Sequence, residues 1–306
     1  MTDIALTRYA DVVAALDDAL LFIGDDGARV AVRDAAKRAL APGHVAEWRG
    51  ALEASAGRVA SSLPTGRRVD LMRDFAEPWS VSIALRVTGA SPGDASPLTA
   101  LAREVFMAAA HSTDGSVPGD AQRAASELAR GLRSGARAAV DVQAFVALTH
   151  TLPCTLCGAW LALIEHPSEL ARLRAQPDAM TRAVEELLRF AGPSRAVFRR
   201  ARRDMFIGDR PISGGETIAL MLSAANRDGA RFADPDRLDF ERDSRGHLAL
   251  GRGSHACAGA AVIRASMAIA TRALLDAFTE MELASDVEWT DGFAIRGPSS
   301  LPVVLG

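Results

Sequence analysis

One stretch of the sequence reads Leu250-Gly-Arg-Gly-Ser-His-Ala-Cys-Ala-Gly259 and places a single cysteine in a glycine-rich loop before a long alanine-rich segment. Gly251 and Gly253 can adopt backbone angles that other residues avoid, so the loop can fold tightly and approach a flat ligand. Cys257 lies at or just before a predicted helix start, where unpaired N–H groups and the helix dipole favour a thiolate. Such a thiolate is a candidate axial ligand for haem iron. A glycine-rich turn around a buried cysteine explains this stretch equally well when it is taken alone.

The composition is that of a globular chain without nucleic-acid or membrane partners. The sequence has 306 residues, of which 49% are hydrophobic, and we assign residues 1–306 to a single domain with a sizeable core. A net charge of −3 argues against a general nucleic-acid binder. The sequence contains no uninterrupted apolar run long enough to cross a membrane and too few cysteines for a disulfide framework. Its first residues lack a charged start followed by an apolar core, so we expect no secretory signal. We therefore expect a cytoplasmic protein.

Apolar residues recur with helical spacing along most of the chain. Helices are predicted over residues 11–21, 29–40, 45–63, 70–88, 98–110, 122–137, 140–165, 178–190 and 259–278, with a further helix between Pro167 and Pro177. The segment 140–165 is apolar on most faces, so we expect it to cross the centre of the protein. Short strands are predicted over 205–207, 212–213, 217–222 and 301–305. The sequence thus predicts a mainly α fold with small β-sheets.

The cysteine loop resembles that of the cytochrome P450 family, which usually reads Phe-Gly-x-Gly-x-His-x-Cys-x-Gly. Leu250 replaces the phenylalanine, and the residues that match are Gly251, Gly253, His255, Cys257 and Gly259. The similarity runs almost end to end and is densest over 178–278. It implies a cytochrome P450-like fold that binds haem b with the Cys257 thiolate as the axial iron ligand.

A second motif, Glu186-Leu-Leu-Arg189, places an acid and a base on one helical face. Taken alone, this pattern usually forms a surface ion pair. It resembles the Glu-x-x-Arg pair of the same family, which is locked to the segment beneath the haem through a downstream arginine. The resemblance implies that Arg237 is the third partner, with Arg242 as the alternative.

The resemblance also assigns residues to the haem propionates. Arg199 lies in a segment similar to the family's Arg-x-Ala strand, and His255 matches a loop histidine that binds the other propionate. Arg33 matches the arginine of a family His-x-x-x-Arg helix, in which Arg29 replaces the histidine. A guanidinium suits this role because its fork of donors matches a carboxylate.

The chain departs from the family near its N-terminus and in its central helix. The usual N-terminal sheet and first helix are expected to be absent, which would leave the site open or covered by a protein partner. In the central helix, Thr151 holds the position of the proton-relay threonine and His150 replaces the usual acid. Leu148 replaces a glycine, and Pro153 is expected to kink the helix. His150 is equally well explained as a hydrogen-bonded histidine of a buried helix.

The resemblance implies a haem-thiolate oxidoreductase of the monooxygenase type that acts on a small-molecule intermediate of natural-product biosynthesis. Thr151 and His150 would deliver protons, and a ferredoxin and ferredoxin reductase would supply electrons. The altered central helix leaves a non-hydroxylating alternative open, either a peroxide-driven oxidation or a cyclisation, isomerisation or coupling. A non-enzymatic relative that supports a partner enzyme is the third alternative.

Overall fold

The computed structural model describes residues 4–22, 26–133 and 135–306. Helices dominate these residues, and short 3₁₀ turns connect some of them. The helices are α1 (Tyr9–Asp17), α2 (Asp26–Ala39), α3 (Pro42–Ser62), α4 (Glu77–Thr88), α5 (Ala95–His111), α6 (Gly119–Gly131), α7 (Ala138–Val146), α8 (Leu152–Glu165), α9 (Pro167–Ala175), α10 (Met180–Ala191), α11 (Leu222–Ala225) and α12 (Ala260–Ala277).

The strands are short and form small sheets beside the helices. They are β1 (Ile4–Leu6), β2 (Leu21–Phe22), β3 (Arg68–Asp70), β4 (Ala196–Ala201), β5 (Met205–Ile207), β6 (Arg210–Ile212), β7 (Thr217–Met221), β8 (Met281–Leu283), β9 (Glu288–Trp289), β10 (Pro298–Ser300) and β11 (Pro302–Leu305). The largest sheet has the order β1-β7-β4-β2, and β3-β11-β8, β10-β9 and β5-β6 form the others. The mainly α fold with small sheets is therefore confirmed.

A continuous central helix consists of α7, a π-helical turn (Ala147–Thr151) and α8. Every residue from Leu152 to Leu163 is buried, and α4, α10 and α12 pack around this segment. Trp160 of α8 meets Phe75 edge to face at 5.3 Å. The helix is long and apolar enough to cross a membrane, but 78% of its most apolar 18-residue stretch is buried inside the protein. It is therefore the core helix of the fold.

The irregularity near Pro153 takes the form of a π turn. Pro153 is the second residue of α8 and has no N–H to donate within the continuous central helix. The turn before it is π-helical, with the Leu152 N–H bonded to the Ala147 carbonyl. Single π turns often mark functional positions inside a helix. The central helix is therefore irregular directly ahead of the proline, and the kink at Pro153 stays a prediction.

The N-terminal segment contributes to the largest sheet. Strand β1 pairs in parallel with β7, with Ile4 opposite Ile218, and β2 pairs with β4, with Leu21 opposite Ala201. The short strands β1 and β2 thus enclose β4 and β7. This arrangement fixes β4, which forms part of the site described below.

Candidate haem site

The cysteine loop is a tight turn that begins after Leu248 and ends at α12. Gly251 and Gly253 have positive φ angles of 65° and 70°, which non-glycine residues rarely adopt. A Cβ on Gly253 would lie 2.8 Å from the Leu16 carbonyl oxygen of α1, so this position requires glycine for space as well. The Cys257 N–H donates to the Leu250 carbonyl at 2.7 Å and closes the loop.

The loop and the central helix enclose one cavity of about 290 Å³. The loop contributes Gly251, His255, Cys257 and Gly259. The central helix contributes one face, which comprises Gln143, Ala144, Ala147, Leu148, Thr151, Leu152 and Thr155. Most of the remaining lining is apolar, but Gln143 and Ala147 are also exposed to solvent. The cavity therefore has an apolar interior and an opening along the first half of the central helix.

The electrostatic surroundings of Cys257 differ from the expectation based on the helix start alone. Burial is the largest effect and raises the pKa of the Cys257 thiol above its usual value. The Gly259 N–H and the positive charges of Arg33 and Arg264 lower the pKa but do not offset burial. The expectation that the helix start alone favours a thiolate is therefore wrong. A metal cation at the sulfur would supply the missing stabilisation of the thiolate, as coordination deprotonates a thiol.

Arg33 provides a direct test of whether the cavity fits haem. Its guanidinium is half-buried and donates only to backbone carbonyls of the loop, those of Ser254 at 3.4 Å and Ala256. Burial lowers the pKa of Arg33. Among the carboxylates whose side chains the structure describes, none lies within ion-pair distance of Arg33. A partly desolvated cation beside a cavity that holds a thiol fits a ligand with acidic side groups, as haem has.

The other residues predicted to bind the propionates lie at different positions. His255 lines the cavity together with Arg33. Arg199 is buried in β4, where its guanidinium donates to the Phe198 carbonyl at 2.9 Å. It shares a strand face with Val197, which lines the cavity, although Arg199 itself does not. The side chain of Arg29 lies outside the described residues.

Glu186 and Arg189 form a buried pair on α10. The two side chains are 0% exposed and are joined by two hydrogen bonds of 2.7 Å in a bidentate arrangement. Arg189 also donates to the carbonyls of Asn226 and Pro235, at 2.8 and 2.9 Å. The pair therefore fixes the irregular segment that precedes the cysteine loop. The surface ion pair, the usual outcome for this spacing, does not occur here.

The third side chain of this cluster is Arg242. Its Nε donates to Glu186 at 3.1 Å, and its other nitrogens donate to the carbonyls of Ala233, Asp234 and Arg237. The prediction of Arg237 is wrong, because the Arg237 side chain is exposed and only its carbonyl oxygen takes part. The alternative, Arg242, is the residue that the structure brings to Glu186.

Thr151 and His150 lie on different sides of the central helix. Thr151 lines the cavity. The His150 ring instead stacks on Phe106 of α5 at 5.3 Å, and its Nε2 lies 3.2 Å from the Thr99 carbonyl oxygen. Burial lowers the pKa of His150 and favours the neutral ring. The prediction that His150 relays protons together with Thr151 is therefore wrong in its geometry, and the alternative of a hydrogen-bonded buried histidine is correct.

Two polar residues of the central helix line the cavity and were not predicted from the sequence. Gln143 and Thr155 lie eight residues before and four residues after Thr151, on the same helical face. The Thr155 hydroxyl donates to the Thr151 carbonyl at 2.8 Å. By contrast, the Thr151 hydroxyl forms no hydrogen bond with any described part of the chain. Helical spacing from Thr151 would have identified both residues.

Comparisons with known proteins find similarity over the part of the chain that contains the cysteine loop. A family model described as Cytochrome P450 matches residues 171–291. Cytochrome P450 107B1 of Saccharopolyspora erythraea is 41% identical over 150 residues, which cover 48% of this chain and 37% of that protein. The 6-deoxyerythronolide B hydroxylase of the same species is 40% identical over 151 residues, 48% of this chain and 37% of that protein. The chain thus aligns with less than half the length of these curated relatives.

Solved structures extend the similarity to the whole fold. P450BioI, solved in complex with an acyl carrier protein that carries hexadec-9Z-enoic acid, has a TM-score of 0.89 at 23% identity and covers 99% of this chain and 92% of that one. The LnmA cytochrome P450 hydroxylase of the leinamycin pathway of Streptomyces atroolivaceus has a TM-score of 0.82 at 27% identity, with 98% and 89% covered.

Cys257 lines the cavity, and a cysteine thiolate that binds haem iron is characteristic of the family that these comparisons find. The family match covers residues 171–291, and the fold over the described residues is that of solved bacterial cytochrome P450 structures.

Proposed function

We propose that this chain is a haem-thiolate oxidoreductase of the monooxygenase type, acting in the cytoplasm on a small-molecule intermediate of natural-product biosynthesis. The observation that carries the proposal is the common cavity of Cys257, Arg33 and Thr151. Relatives named 6-deoxyerythronolide B hydroxylase and pentalenic acid synthase support the substrate class. Electrons would come from a ferredoxin and ferredoxin reductase.

The residues that line the cavity would have separate roles in holding haem and in excluding water. When bound, haem supplies the oxidative chemistry, and a cysteine thiolate ligand favours O–O cleavage. Cys257 would provide the ligand sulfur, while Arg33 and His255 would bind the acidic side groups. Leu148 and Leu152 would exclude water from the inner cavity.

Thr151 would pass on the protons that the reaction consumes, one at a time. Its side chain faces the cavity, and its hydroxyl forms no hydrogen bond with the chain as described, so it can donate inward. Solvent can replace this proton through the opening at Gln143 and Ala147. The same opening would be the surface that a protein partner covers.

Two measurements test this function in sequence. The ferrous protein with carbon monoxide should show the strongly red-shifted Soret band of a thiolate-bound haem, and a protein without any Soret band would contradict the proposal and favour the non-enzymatic relative. Once a substrate is known, Thr151→Ala should form less product per electron consumed than the wild-type protein in the ferredoxin-driven assay. Thr155→Ala is the matched control, because its hydroxyl is bonded to a carbonyl. Equal coupling in both variants would refute the role of Thr151.

A second reaction type is favoured by one observation on the central helix. Leu148 lines the cavity where the family usually has glycine, and His150 faces away from it. A peroxide-driven or non-inserting reaction needs no proton relay at this helix. Under this alternative, Thr151→Ala would turn over normally with peroxide alone, and ferredoxin-driven turnover would be negligible in the wild-type protein as well.

A further inference from the structure

A second ionic cluster, in which only the histidine is fully buried, lies beside the cysteine loop and has no part in the mechanism described above. Glu185 of α10 binds Arg264 of α12 through two hydrogen bonds, with Oε2 of Glu185 3.0 Å from Nη2. The same Oε2 lies 3.2 Å from Nε2 of His247. Glu185 therefore connects two helices to the segment that leads into the loop. Its neighbour Glu186 serves the separate cluster around Arg189.

The hydrogen bonds of His247 fix its tautomer and its place. Its Nδ1 accepts the N–H of Ala249 at 3.2 Å, so the proton is carried by Nε2, which donates to Glu185. The His247 side chain is 2% exposed. A histidine held at both nitrogens cannot rotate without breaking both bonds. The backbone at Ala249 is thus fixed from the side of α10.

The fixed segment leads directly to the cysteine. Ala249 and Leu250 line the haem cavity, and the Leu250 carbonyl accepts the N–H of Cys257 at 2.7 Å. On the other side, Arg264 belongs to α12, the helix that begins three residues after Cys257. Glu185 therefore restrains the chain both before and after the cysteine.

We propose that Glu185 is a positioning residue for the haem ligand, because it holds the backbone that bonds to Cys257 through His247 on one side and Arg264 on the other. This inference rests on the proposed function in that Cys257 is taken as the ligand. Loss of the Glu185 carboxylate would release the segment at Ala249 and allow the thiol to leave the orientation that it has in the cavity.

Alkylation of the haem-free protein by iodoacetamide, followed by mass spectrometry, measures the position of the thiol without any catalytic assay. Cys154 and Cys157 are buried, and burial raises the pKa of Cys154 to about 12, so Cys257 is the thiol expected to react. Glu185→Ala should speed its alkylation by about tenfold or more, as expected when hydrogen bonds to a charged group are lost. Glu241→Ala is the matched control, since Glu241 also binds an arginine of α10, Arg182, but is exposed.

The haem-loaded protein gives the second measurement. Glu185→Ala should convert part of the red-shifted carbon-monoxide band into the band of haem without thiolate, whereas Glu241→Ala should not. If Glu185→Ala is insoluble, the isosteric Glu185→Gln replaces it in both measurements. Its alkylation rate and its carbon-monoxide band should then change in the same direction, but by less. Alkylation within about twofold of wild type together with an unchanged band would overturn the inference, even if the melting temperature falls. A wild-type protein without a thiolate band would instead refute the proposed function, and alkylation would still test Glu185.

Discussion

Replacing Arg242 with alanine removes the third side chain of the Glu186 cluster, and we expect it to destabilise the folded chain strongly. The Arg242 side chain is 9% exposed and donates to the fully buried Glu186 carboxylate at 3.1 Å. It also satisfies carbonyls of the preceding segment, including Asp234 at 2.9 Å. Removing one partner of a buried ionic cluster costs about 3–5 kcal/mol. For a chain of this size, such a loss lowers Tm by on the order of 10 °C.

The matched control is Arg237→Ala, five residues earlier in the same segment. The Arg237 side chain is exposed, and the alanine variant keeps the carbonyl that accepts hydrogen bonds from Arg189 and Arg242. Its effect should stay within about 0.5 kcal/mol. Thermal unfolding of both variants, followed by far-ultraviolet circular dichroism, measures the difference. Equal shifts, or a larger shift for Arg237→Ala, would refute the assignment of Arg242.

Three further predictions concern the site. Cys257→Ser should lose the red-shifted carbon-monoxide band, because a serine hydroxyl is a poor axial ligand at neutral pH, and a retained band would show that another group binds the iron. Arg33→Gln should weaken haem binding in a Soret titration by about tenfold or more. Lys37→Gln on the same helix is the control, and equal haem affinities of the two variants would contradict the propionate role of Arg33. Burial would raise the pKa of Glu185, but the hydrogen bonds from His247 and Arg264 lower it from 4.5 to about 2. The stability contributed by Glu185 is therefore present above pH 4.5 and lost as the pH falls towards 2. Glu185→Gln should flatten this part of the curve of folded fraction against pH in acid unfolding. An unchanged curve would contradict the shifted pKa.

The long helices could be predicted from the sequence because their apolar spacing repeats over several turns. Helix α12 was expected over 259–278 and spans Ala260–Ala277. Strands such as β1 and β2 have three and two residues, too few to show an alternating pattern. Each is defined by a partner far away in the sequence, since β1 pairs with β7. Periodicity along the chain carries no information about such pairs.

The errors at the site have similar physical causes. The segment that contains Arg237 and Arg242 has no regular secondary structure, so spacing along the chain does not determine which arginine points inward. For the central helix, the geometry was available in the sequence. Successive helical residues point about 100° apart, so His150 and Thr151 cannot share one narrow cavity face. Residues at intervals of three and four from Thr151, such as Leu148 and Thr155, do share it.

The position of His150 bears on how protons would reach Thr151. A buried, neutral histidine that stacks on Phe106 cannot replace an acid beside Thr151. Gln143 and Ala147 are exposed and line the same cavity as Thr151. Under the proposed function, solvent would therefore supply protons to Thr151 along this face, without an intervening titratable side chain on the central helix.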